Sequence, residues 1–498
     1  MTTPTAALTW RTALGQRAWV APTLVGVFAL AASLVGLGTP SVWYDEVATI
    51  SGSTRTLPQL WQLLGTVDAV HGVHYALMHL VFELLGYSPF TLRLPSAVAV
   101  ATTAGVVVML GRRIHGPLLG LVGGVVFSIL PRVTWMAVEG RSYALSALLA
   151  AILSLVLMRA VEHPGWRWWL VYAAVALLSC VTFLYLGLVI VAHGVGMLVA
   201  LVRRERAAGR TAARWAGAAG VAGVLALPFL ALVVSQSSQL PAMVPLGAQT
   251  IAEVAVSQWF GTSIPWAVAG LALMIFGLWP RSGDGAVGGR VILMSALVVP
   301  TGALLLVALS DPGIYQPRYL GMCTPFVALA IAWGIVKISA RPIAVMVVGL
   351  LVVLAIPQIV SQRGPESKKD ASWSTVAQFI HQQRAENGGT TAIVFGKIQP
   401  HHGASARVIA YAYPAAFEDT VDVTLGIPAA GTGGLWETRL PLSSTLDRLD
   451  RADDLFFITT EGAERRESTS QLLRRAGWVA SKIWTADTVT VMRYSRSL

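Results

Sequence analysis

Long apolar runs, each about 20 residues and separated by short links, dominate this sequence. A helix of about 20 apolar residues crosses the hydrocarbon core of a bilayer. Only 12% of the 498 residues are charged and the mean hydropathy is +0.65, whereas about 25% of residues are charged in soluble domains. The chain is therefore predicted to be a polytopic α-helical membrane protein with about eleven transmembrane helices. The runs cover residues 19–37, 94–111, 117–136, 142–160, 167–183, 184–202, 215–234, 265–280, 291–309, 319–336 and 342–360.

The basic residues indicate on which side of the membrane each link lies. Arg and Lys cluster in the links after residues 111, 160, 202, 280 and 336, and such clusters are typical of cytosolic loops. The net charge of +11 is thus explained by topology, without a nucleic-acid partner. An integral plasma-membrane protein with a cytosolic N-terminus is predicted. A signal peptide is disfavoured because the first run is long and lacks a small-x-small cleavage site. An even number of spans would place the C-terminal part in the cytosol.

Two segments fall outside the runs. Residues 38–93 are predicted to form a long first extracytoplasmic loop, in which 57–64 and 74–86 have helical spacing but are too short to span. They predict helices lying in the membrane interface, with a re-entrant hairpin as the alternative. Residues 361–498 have ordinary polar content and are predicted to form a small extracytoplasmic α/β domain beside the transmembrane domain 1–360. Its strands are predicted at 391–396, 420–426, 455–460, 478–484 and 488–494, its helices at 373–386 and 463–475, and a surface loop at 401–403.

Polar residues at the extracytoplasmic surface of the membrane are the main site candidates, because ionisable groups near the membrane are costly and tend to be functional. They come from four separate loops that are all predicted on one side. In a packed bundle they would converge on one cavity. They are Asp45, Glu46, Arg55, Asp68, His71, His74, Tyr75, Glu139, Arg141, Tyr143, Asp311, Tyr315, Arg318 and Tyr319.

Five segments carry a resemblance to a known family. They are WYDE (43–46), the Asp68/His71/His74-Tyr75 cluster leading into LMHLVFELLG, SPFTLRLPSA (88–97), EGRSYAL (139–145) and QPRYLGMCTPFVAL (316–329). In this order they resemble the GT-C membrane glycosyltransferases, in particular the branch of the protein O-mannosyltransferases and the lipid A aminoarabinose transferase. The resemblance covers residues 15–360 and implies a bacterial, actinobacterial-type source. One motif departs from the family, since His-Pro-Pro-Leu-Tyr-Tyr is replaced here by His71-Gly72-Val73-His74-Tyr75.

The resemblance implies a catalytic role for the carboxylates. An acceptor alcohol needs a base to take its proton, and Asp45 matches the acidic residue that the family uses in its first loop. Glu46 would orient the acceptor or an arginine. For both residues a helix N-cap or a salt bridge stays open as the alternative.

Arginines are suited to holding the departing phosphate, because the guanidinium fork makes paired hydrogen bonds to it. Arg318 and Arg141 are predicted at the outer interface, and the resemblance points to Arg318 and Tyr319 as contacts of the donor phosphate. Arg55 is a weaker candidate. The alternative is that these arginines only snorkel or cap helices.

The remaining candidates are predicted to bind substrate or line the cavity. Three potential ligands within seven residues also leave a divalent metal open, although hydrogen bonding to sugar or phosphate is favoured and no cofactor is certain. These candidates are Asp68, His71, His74, Tyr75, Glu139, Tyr143 and Tyr315.

Together these features predict transfer of a sugar, most simply mannose, from a polyprenyl-phosphate donor to a cell-envelope glycan, glycolipid or glycoprotein. An arabinofuranosyl donor is the near alternative. A polytopic transporter or flippase of lipid-linked sugars is an alternative of another class, and a noncatalytic polyprenol-binding scaffold is a third. Transporters place charges near the bilayer midplane and often contain broken helices, whereas the apolar runs here are almost free of ionisable residues.

Overall fold

A computed structural model of the protein describes residues 18–163, 165–236, 245–280, 287–368, 371–401 and 403–496. Contacts divide the chain into two compact units. The first unit comprises Met1–Leu37 and Arg93–Gln362, and the second comprises Gly38–Leu92 and Arg363–Leu498. The sequence analysis grouped the loop 38–93 with the transmembrane helices, whereas in the structure nearly all of it belongs to the second unit. His402 and the basic link at 281–286 lie outside the described residues.

Helices make up most of the described chain, as predicted. In chain order they are α1 (Val20–Leu34), α2 (Tyr44–Ser53), α3 (Leu57–Leu64), α4 (Gly72–Leu85), α5 (Pro89–His115), α6 (Pro117–Ile129), α7 (Pro131–Ala137), α8 (Tyr143–Glu162), α9 (Trp166–Thr182), α10 (Gly187–Val202), α11 (Ala208–Ser235), α12 (Ala248–Ala252), α13 (Gln258–Phe260), α14 (Ile264–Leu278), α15 (Val287–Ala308), α16 (Thr324–Val336), α17 (Arg341–Gln362), α18 (Trp373–Asn387), α19 (Val408–Ala412) and α20 (Ala463–Arg475). The strands are β1 (Thr391–Phe395), β2 (Val421–Asp422), β3 (Asp454–Thr459), β4 (Trp478–Ala486) and β5 (Val489–Arg496).

Seven helical stretches in the described part of the chain are long and apolar enough to cross a membrane, and the number rises to nine if two bent pairs each count as one span. The other two predicted runs form the shorter apolar helices α1 and α9. Every predicted run thus contains an apolar helix, but seven to nine meet the criteria of a span rather than eleven. The seven stretches are Pro89–His115, Tyr143–Glu162, Leu184–Val202, Ala208–Ser235, Gly289–Ala308, Pro317–Val336 and Arg341–Gln362.

The two bent pairs are breaks that the sequence analysis did not predict. Helices α6 and α7 meet at 62°, and Ala248–Phe260 meets α14 at 86°. The first break lies at Pro131, which cannot donate the hydrogen bond that would continue α6. The second follows Gly261, whose φ of 62° is readily adopted only by glycine.

Helix α16 is the centre of the first unit. Its residues from Thr324 to Ile335 are all buried, as expected for a helix that is apolar on every side. Helix α14 approaches it very closely, since a Cβ added at Gly277 would lie 2.6 Å from the carbonyl oxygen of Ala330. Small residues allow membrane helices such close contact. Gly277 of α14 and Gly334 of α16 therefore set the distance between the two helices.

The second unit is built around a five-stranded sheet with strand order β2-β1-β3-β5-β4. Strand β1 pairs in parallel with β2 and β3, while β5 runs antiparallel to β3 and β4. The predicted strands and both predicted helices are confirmed, except that 420–426 is reduced to the two residues of β2. Alternation along each strand sends side chains to opposite faces. Ile393 and Phe395 accordingly pack on one face, and Ala392 and Val394 on the other.

The first-loop helices cover one face of this sheet. Val47 and Ile50 of α2 and Met78 of α4 share a hydrophobic core with Ile393 and Phe395 of β1. Three of these side chains are fully buried and the other two are at most 4% exposed. The loop therefore folds as part of the second unit, and α2 is held by the sheet. Segments 57–64 and 74–86 are helical as predicted, forming α3 and most of α4.

Candidate active site

The two adjacent carboxylates of the first loop open helix α2. Trp43 is the N-cap residue, with extended backbone (φ −123°, ψ 175°) and no capping bond from its side chain. Asp45 and Glu46 occupy the first helical turn, where the backbone N–H groups favour negative charge. Neither carboxylate is the N-cap, so that alternative is wrong. Asp45 is half-buried, and Glu46 is fully buried with 0% of its surface exposed.

Tyr44, the first residue of α2, lies among aromatic and acidic side chains. The imidazole of His401 stacks on its ring with centroids 3.4 Å apart and planes at 4°, and the ring of Trp436 lies 5.3 Å away. Burial raises the pKa of Tyr44 to about 12, and the charges of Asp45 and Asp68 add to the rise. Both carboxylates therefore act on the same phenol. Tyr44 and Trp436 were not singled out from the sequence, and His401 lies in a loop as predicted but also stacks on Tyr44.

The predicted substrate-binding cluster of the first loop is held together by Tyr75. Asp68 has a left-handed φ of 57°, and its Oδ2 accepts a 2.7 Å hydrogen bond from the Tyr75 hydroxyl. His74 and Tyr75 are buried in α4, and the half-buried ring of His71 lies 5.9 Å from that of Tyr75. Gly52 of α2 leaves room for Tyr75, because a Cβ there would lie 2.7 Å from its ring. Among the described residues, no three His, Cys, Asp or Glu side chains come together as metal ligands would.

Arg55, which comes shortly after the last residue of α2, is buried and bound to backbone carbonyl groups. Only 2% of its surface is exposed, and its guanidinium donates to the carbonyl oxygens of Ser51 at 2.9 Å, Thr432 at 3.1 Å and Gly434 at 2.7 Å. Burial lowers its pKa. These bonds fix Arg55 to the backbone of the C-terminal part, and its contact with the donor phosphate stays a prediction.

The other predicted site residues lie in the first unit. Glu139 and Arg141 belong to the turn between α7 and α8, and both are buried, with 0% and 7% of their surfaces exposed. The hydroxyl of Ser96 in α5 donates to the carbonyl oxygen of Glu139 at 2.6 Å. Tyr143 follows at the start of α8. The turn is thus fixed to the neighbouring helix, which orients its two charged side chains.

Aromatic rings surround Tyr319 in this unit. Its ring lies 5.3 Å from that of Tyr185 and 6.4 Å from those of Tyr143 and Phe183. The guanidinium of Arg318 lies 5.8 Å from the Tyr319 ring centroid, within the range of a cation–π contact. The 3₁₀ turn Pro317–Cys323 therefore presents an aromatic side chain, with a cation beside it, to the start of α8 and to the segment that precedes α10.

Arg132 is a site candidate that the sequence analysis missed. It follows the break at Pro131, donates through Nε to the carbonyl oxygen of Gln258 at 3.0 Å, and also binds the carbonyl oxygen of Ser257. It lies within electrostatic range of four predicted site residues. The signal was an arginine directly after a proline inside an apolar run, which marks a functional position in a membrane segment. The four residues are Glu139, Tyr143, Tyr315 and Arg318.

A hydrogen-bonded chain leads from this polar cluster to an apolar groove. The Tyr315 hydroxyl donates to Oε1 of Gln258 at 3.2 Å, and the amide nitrogen of Gln258 donates to the Thr301 hydroxyl at 3.0 Å. Thr301 lines a groove of about 610 Å³, in which every other lining residue is apolar or glycine. The groove runs along α14 and α15. Its lining residues are Trp259, Leu271, Met274, Ile275, Leu278, Trp279, Pro280, Met294, Leu297, Val298, Thr301, Gly302 and Leu305.

The predicted site residues therefore form two sets, one in each unit. In the second unit, Asp45 and Asp68 lie within electrostatic range of the Tyr44 phenol, Asp68 binds the Tyr75 hydroxyl, and Glu46 is buried in the first turn of α2. In the first unit, Arg132 and Gln258 join a set that consists of Glu139, Tyr143, Tyr315, Arg318 and Tyr319, and Arg141 lies in the same turn as Glu139. Convergence of the two sets on one cavity stays a prediction.

Comparisons with known proteins agree with this architecture. Residues 72–232 match the family model described as dolichyl-phosphate-mannose-protein mannosyltransferase, while no curated protein matches the chain. ArnT from Cupriavidus metallidurans, solved with undecaprenyl phosphate bound, is similar with a TM-score of 0.57 and 14% identity, over 96% of this chain and 98% of that one. Its apo structure gives the same values.

A second solved structure has the same fold. The oligosaccharyltransferase of Archaeoglobus fulgidus, in complex with Zn and sulfate, is similar with a TM-score of 0.52 and 12% identity, over 95% of this chain and 73% of that one. At these identities the matches show a shared fold. The chain therefore shares its fold with these two proteins along nearly its whole length, and its residues 72–232 are similar to the dolichyl-phosphate-mannose-protein mannosyltransferase family.

Proposed function

We propose that this protein transfers a sugar, most simply mannose, from a polyprenyl-phosphate donor to a hydroxyl group of a cell-envelope acceptor at the extracytoplasmic face. The description of the matching family model, which names a mannose-phosphate lipid, supports the sugar. The similar ArnT was solved with undecaprenyl phosphate bound, which supports the type of lipid. An arabinofuranosyl donor is the alternative within the same superfamily.

The observation that carries this proposal is the apolar groove beside the arginine cluster of the first unit. A polyprenyl phosphate has a long apolar tail and a compact anionic head. The groove has a volume of about 610 Å³ and an almost entirely apolar lining. Gln258 links Thr301 in that lining to Tyr315 and Arg132. Arginine forks bind phosphate oxygens in pairs. We assign the tail to the groove and the phosphate to Arg318, Arg132 and Arg141, with Tyr319 beside it.

Transfer of the sugar to a hydroxyl group requires a base that takes the proton of that hydroxyl. Asp45 takes the proton of the acceptor hydroxyl as that oxygen forms a bond to the anomeric carbon. The bond from the anomeric carbon to the phosphate oxygen breaks, polyprenyl phosphate leaves with its negative charge held by arginines, and the configuration inverts. Glu46, buried in the next position of α2, orients the acceptor or an arginine. Asp68 and the Tyr75 hydroxyl contribute hydrogen bonds to substrate.

The test uses the purified full chain in nanodiscs with a panel of synthetic polyprenyl-phosphate sugars and a membrane extract as acceptor source. Release of free polyprenyl phosphate from one donor is the expected result. Asp45→Asn removes the base and is expected to lower the rate at least about 100-fold. Asp447→Asn, on an exposed carboxylate of the second unit, is the matched control and should keep the wild-type rate.

The two bent helix pairs support the transporter alternative, since transporters often contain broken helices. The same preparation separates the two functions. Consumption of a donor that depends on Asp45 supports the transferase. Movement of lipid-linked sugar between leaflets of liposomes, with no donor consumed, would overturn it. If this protein is a noncatalytic scaffold, another protein bound to it consumes the donor. Donor consumption by the membrane extract with the protein added, unaffected by Asp45→Asn, would indicate that function.

A further inference from the structure

A six-residue segment of the C-terminal part, Thr432–Glu437, is held by side chains of the first loop. Arg55 donates to the carbonyl oxygens of Thr432 and Gly434, the Ser51 hydroxyl donates to that of Leu435, and the Thr66 hydroxyl to that of Gly433. Four consecutive carbonyl oxygens are thus bound from α2, its C-terminal flank and the end of α3. Such satisfaction of backbone groups fixes the course of a segment that has no regular structure.

The far end of the segment is fixed by a buried ion network. Glu437 accepts from the Ser405 hydroxyl at 2.6 Å and the Tyr411 hydroxyl at 2.8 Å, and it pairs with Arg407, which also binds Asp422. Paired and hydrogen-bonded charges in a buried position have one preferred geometry. Trp436 lies between these two anchored ends, so its backbone is held from both sides.

The indole ring of Trp436 belongs to an aromatic group beside Asp45. Trp436 lies 5.3 Å from Tyr44, and its indole N–H donates to the Tyr44 hydroxyl. His401 stacks on Tyr44 at 3.4 Å. All three rings are only half-buried, and Asp45 follows Tyr44 in the chain. Rings that serve only to pack a core are usually fully buried. These three keep part of their surface exposed, beside a carboxylate, and are therefore accessible to a ligand.

We propose that Tyr44, His401 and Trp436 form a platform that binds a sugar ring of the acceptor, so that the acceptor is a carbohydrate chain or glycolipid. This inference rests on the function proposed above and deepens it by naming the acceptor class. The C–H groups on the flat face of a pyranose carry small positive charges, and aromatic faces are negative. Asp45 and Asp68 accept hydrogen bonds from sugar hydroxyls at the edge of the ring. The C-terminal part thereby determines the acceptor.

Binding is tested without turnover. Saturation-transfer NMR is recorded on the full chain in nanodiscs, without donor, with methyl α-mannopyranoside, methyl β-glucopyranoside, methyl β-galactopyranoside or a Ser/Thr-rich peptide as probe. We expect transfer to the ring protons of at least one sugar, reduced tenfold or more in Trp436→Ala. Trp484→Ala is the matched control, because Trp484 is also half-buried in this unit but stacks on Phe379 at 4.4 Å. It should leave the signal unchanged.

Two further variants keep the test decisive if Trp436→Ala does not fold. His401→Ala removes a half-buried ring that lies in a loop and should also weaken the sugar signal, whereas Trp436→Phe retains a ring and should keep most of it. Sugar signals that are unchanged in His401→Ala and Trp436→Ala, or transfer to the peptide alone, would overturn the proposal. The experiment requires no donor, so loss of transferase activity and loss of sugar binding are separate results.

Discussion

Arg132 shows how a charged residue can be kept in an apolar segment. Its helix, α7, starts at the proline that ends the preceding stretch, and its guanidinium meets the carbonyl oxygens of Ser257 and Gln258. Those carbonyls come from the irregular helical turn that precedes Gly261. A charge inside a membrane segment is costly unless it is paired. The two breaks therefore stabilise one another, and Arg132 connects them beside Arg318.

Arg132→Lys tests the role of this guanidinium in donor binding. Lysine keeps the charge but cannot make the forked bonds, so we expect the KM for the polyprenyl-phosphate donor to rise about tenfold or more, with a smaller change in kcat. Arg113→Lys is the control, because Arg113 pairs with Glu162 at a partly exposed position. Steady-state kinetics with varied donor give both values. An unchanged donor KM in Arg132→Lys would contradict the assignment.

Individual site residues could be predicted from the sequence, but their partners could not. Asp45 and Asp68 stand out because carboxylates are rare near apolar runs. Arg55 stands out for the same reason, yet its bonds are to carbonyls about 380 residues further along the chain. Trp436 and His401 have no local signal, because their position beside Tyr44 depends on pairing between distant segments. Contacts of that kind follow from tertiary structure and not from spacing.

At the scale of elements, glycines control the contact between α14 and α16. Gly334→Ala would press a methyl group against the backbone of Leu273, and backbone cannot move aside as a side chain can. Overpacking of this kind costs about 1–3 kcal/mol, so we expect a lower thermal midpoint of the full chain in detergent. Gly349→Ala in α17 is the control, since a Cβ there meets nothing within 4 Å. It should leave the midpoint equal or higher, because alanine favours helix by up to about 1 kcal/mol. Equal effects of both substitutions would contradict the close-packing argument.

The buried network around Glu437 predicts a pH dependence for the second unit. Burial raises the pKa of this carboxyl, but Arg407 and the hydroxyls of Ser405 and Tyr411 outweigh burial, so the pKa lies below its ordinary value of 4.5. A lowered folded pKa stabilises the folded state above the unfolded pKa. The contribution is lost as the pH falls from about 4.5 through the folded pKa.

Glu437→Gln should remove this part of the acid sensitivity. At pH 7 it leaves Arg407 with one partner fewer, and a broken buried pair costs about 3–5 kcal/mol. Hydrogen exchange of the β1 and β3 amides in the full chain measures the effect within the second unit. Glu464→Gln, on an exposed carboxylate at the start of α20, should behave as wild type. Wild-type protection of β1 and β3 in Glu437→Gln would show that the network does not stabilise the sheet.

Regular elements followed from the sequence wherever one periodic pattern decided them. The strands β1, β3 and β5 have the predicted positions because β-branched and aromatic residues bury both faces of the sheet, and the edge strand β4, although largely exposed, also has its predicted position. The run 117–136 was predicted as one span because Arg132 is the only charged residue in it. Pro131 breaks it, and composition alone does not show whether a proline in an apolar run bends or ends a helix.

For the whole molecule, the side of the membrane on which each part lies depends on one bent pair. Between Glu205 and Thr488, the described residues contain four straight candidate spans and the pair formed by Ala248–Phe260 and Ile264–Leu278. If the pair crosses the membrane, the number of crossings is odd and the two positions lie on opposite sides. If it re-enters, the number is even and they lie on the same side. The basic links place Glu205 in the cytosol, so crossing predicts that Thr488 is extracytoplasmic.

Single cysteines at these two exposed positions decide between the topologies. Thr488→Cys and Glu205→Cys are made in a background with Cys180→Ala and Cys323→Ala, and intact cells are treated with a membrane-impermeant maleimide. We expect Thr488→Cys to be labelled in intact cells and Glu205→Cys only after permeabilisation. Labelling of both in intact cells, or of neither, would mean that the bent pair re-enters. The sheet, and with it Asp45 at the start of a helix packed on that sheet, would then require a different assignment of sides.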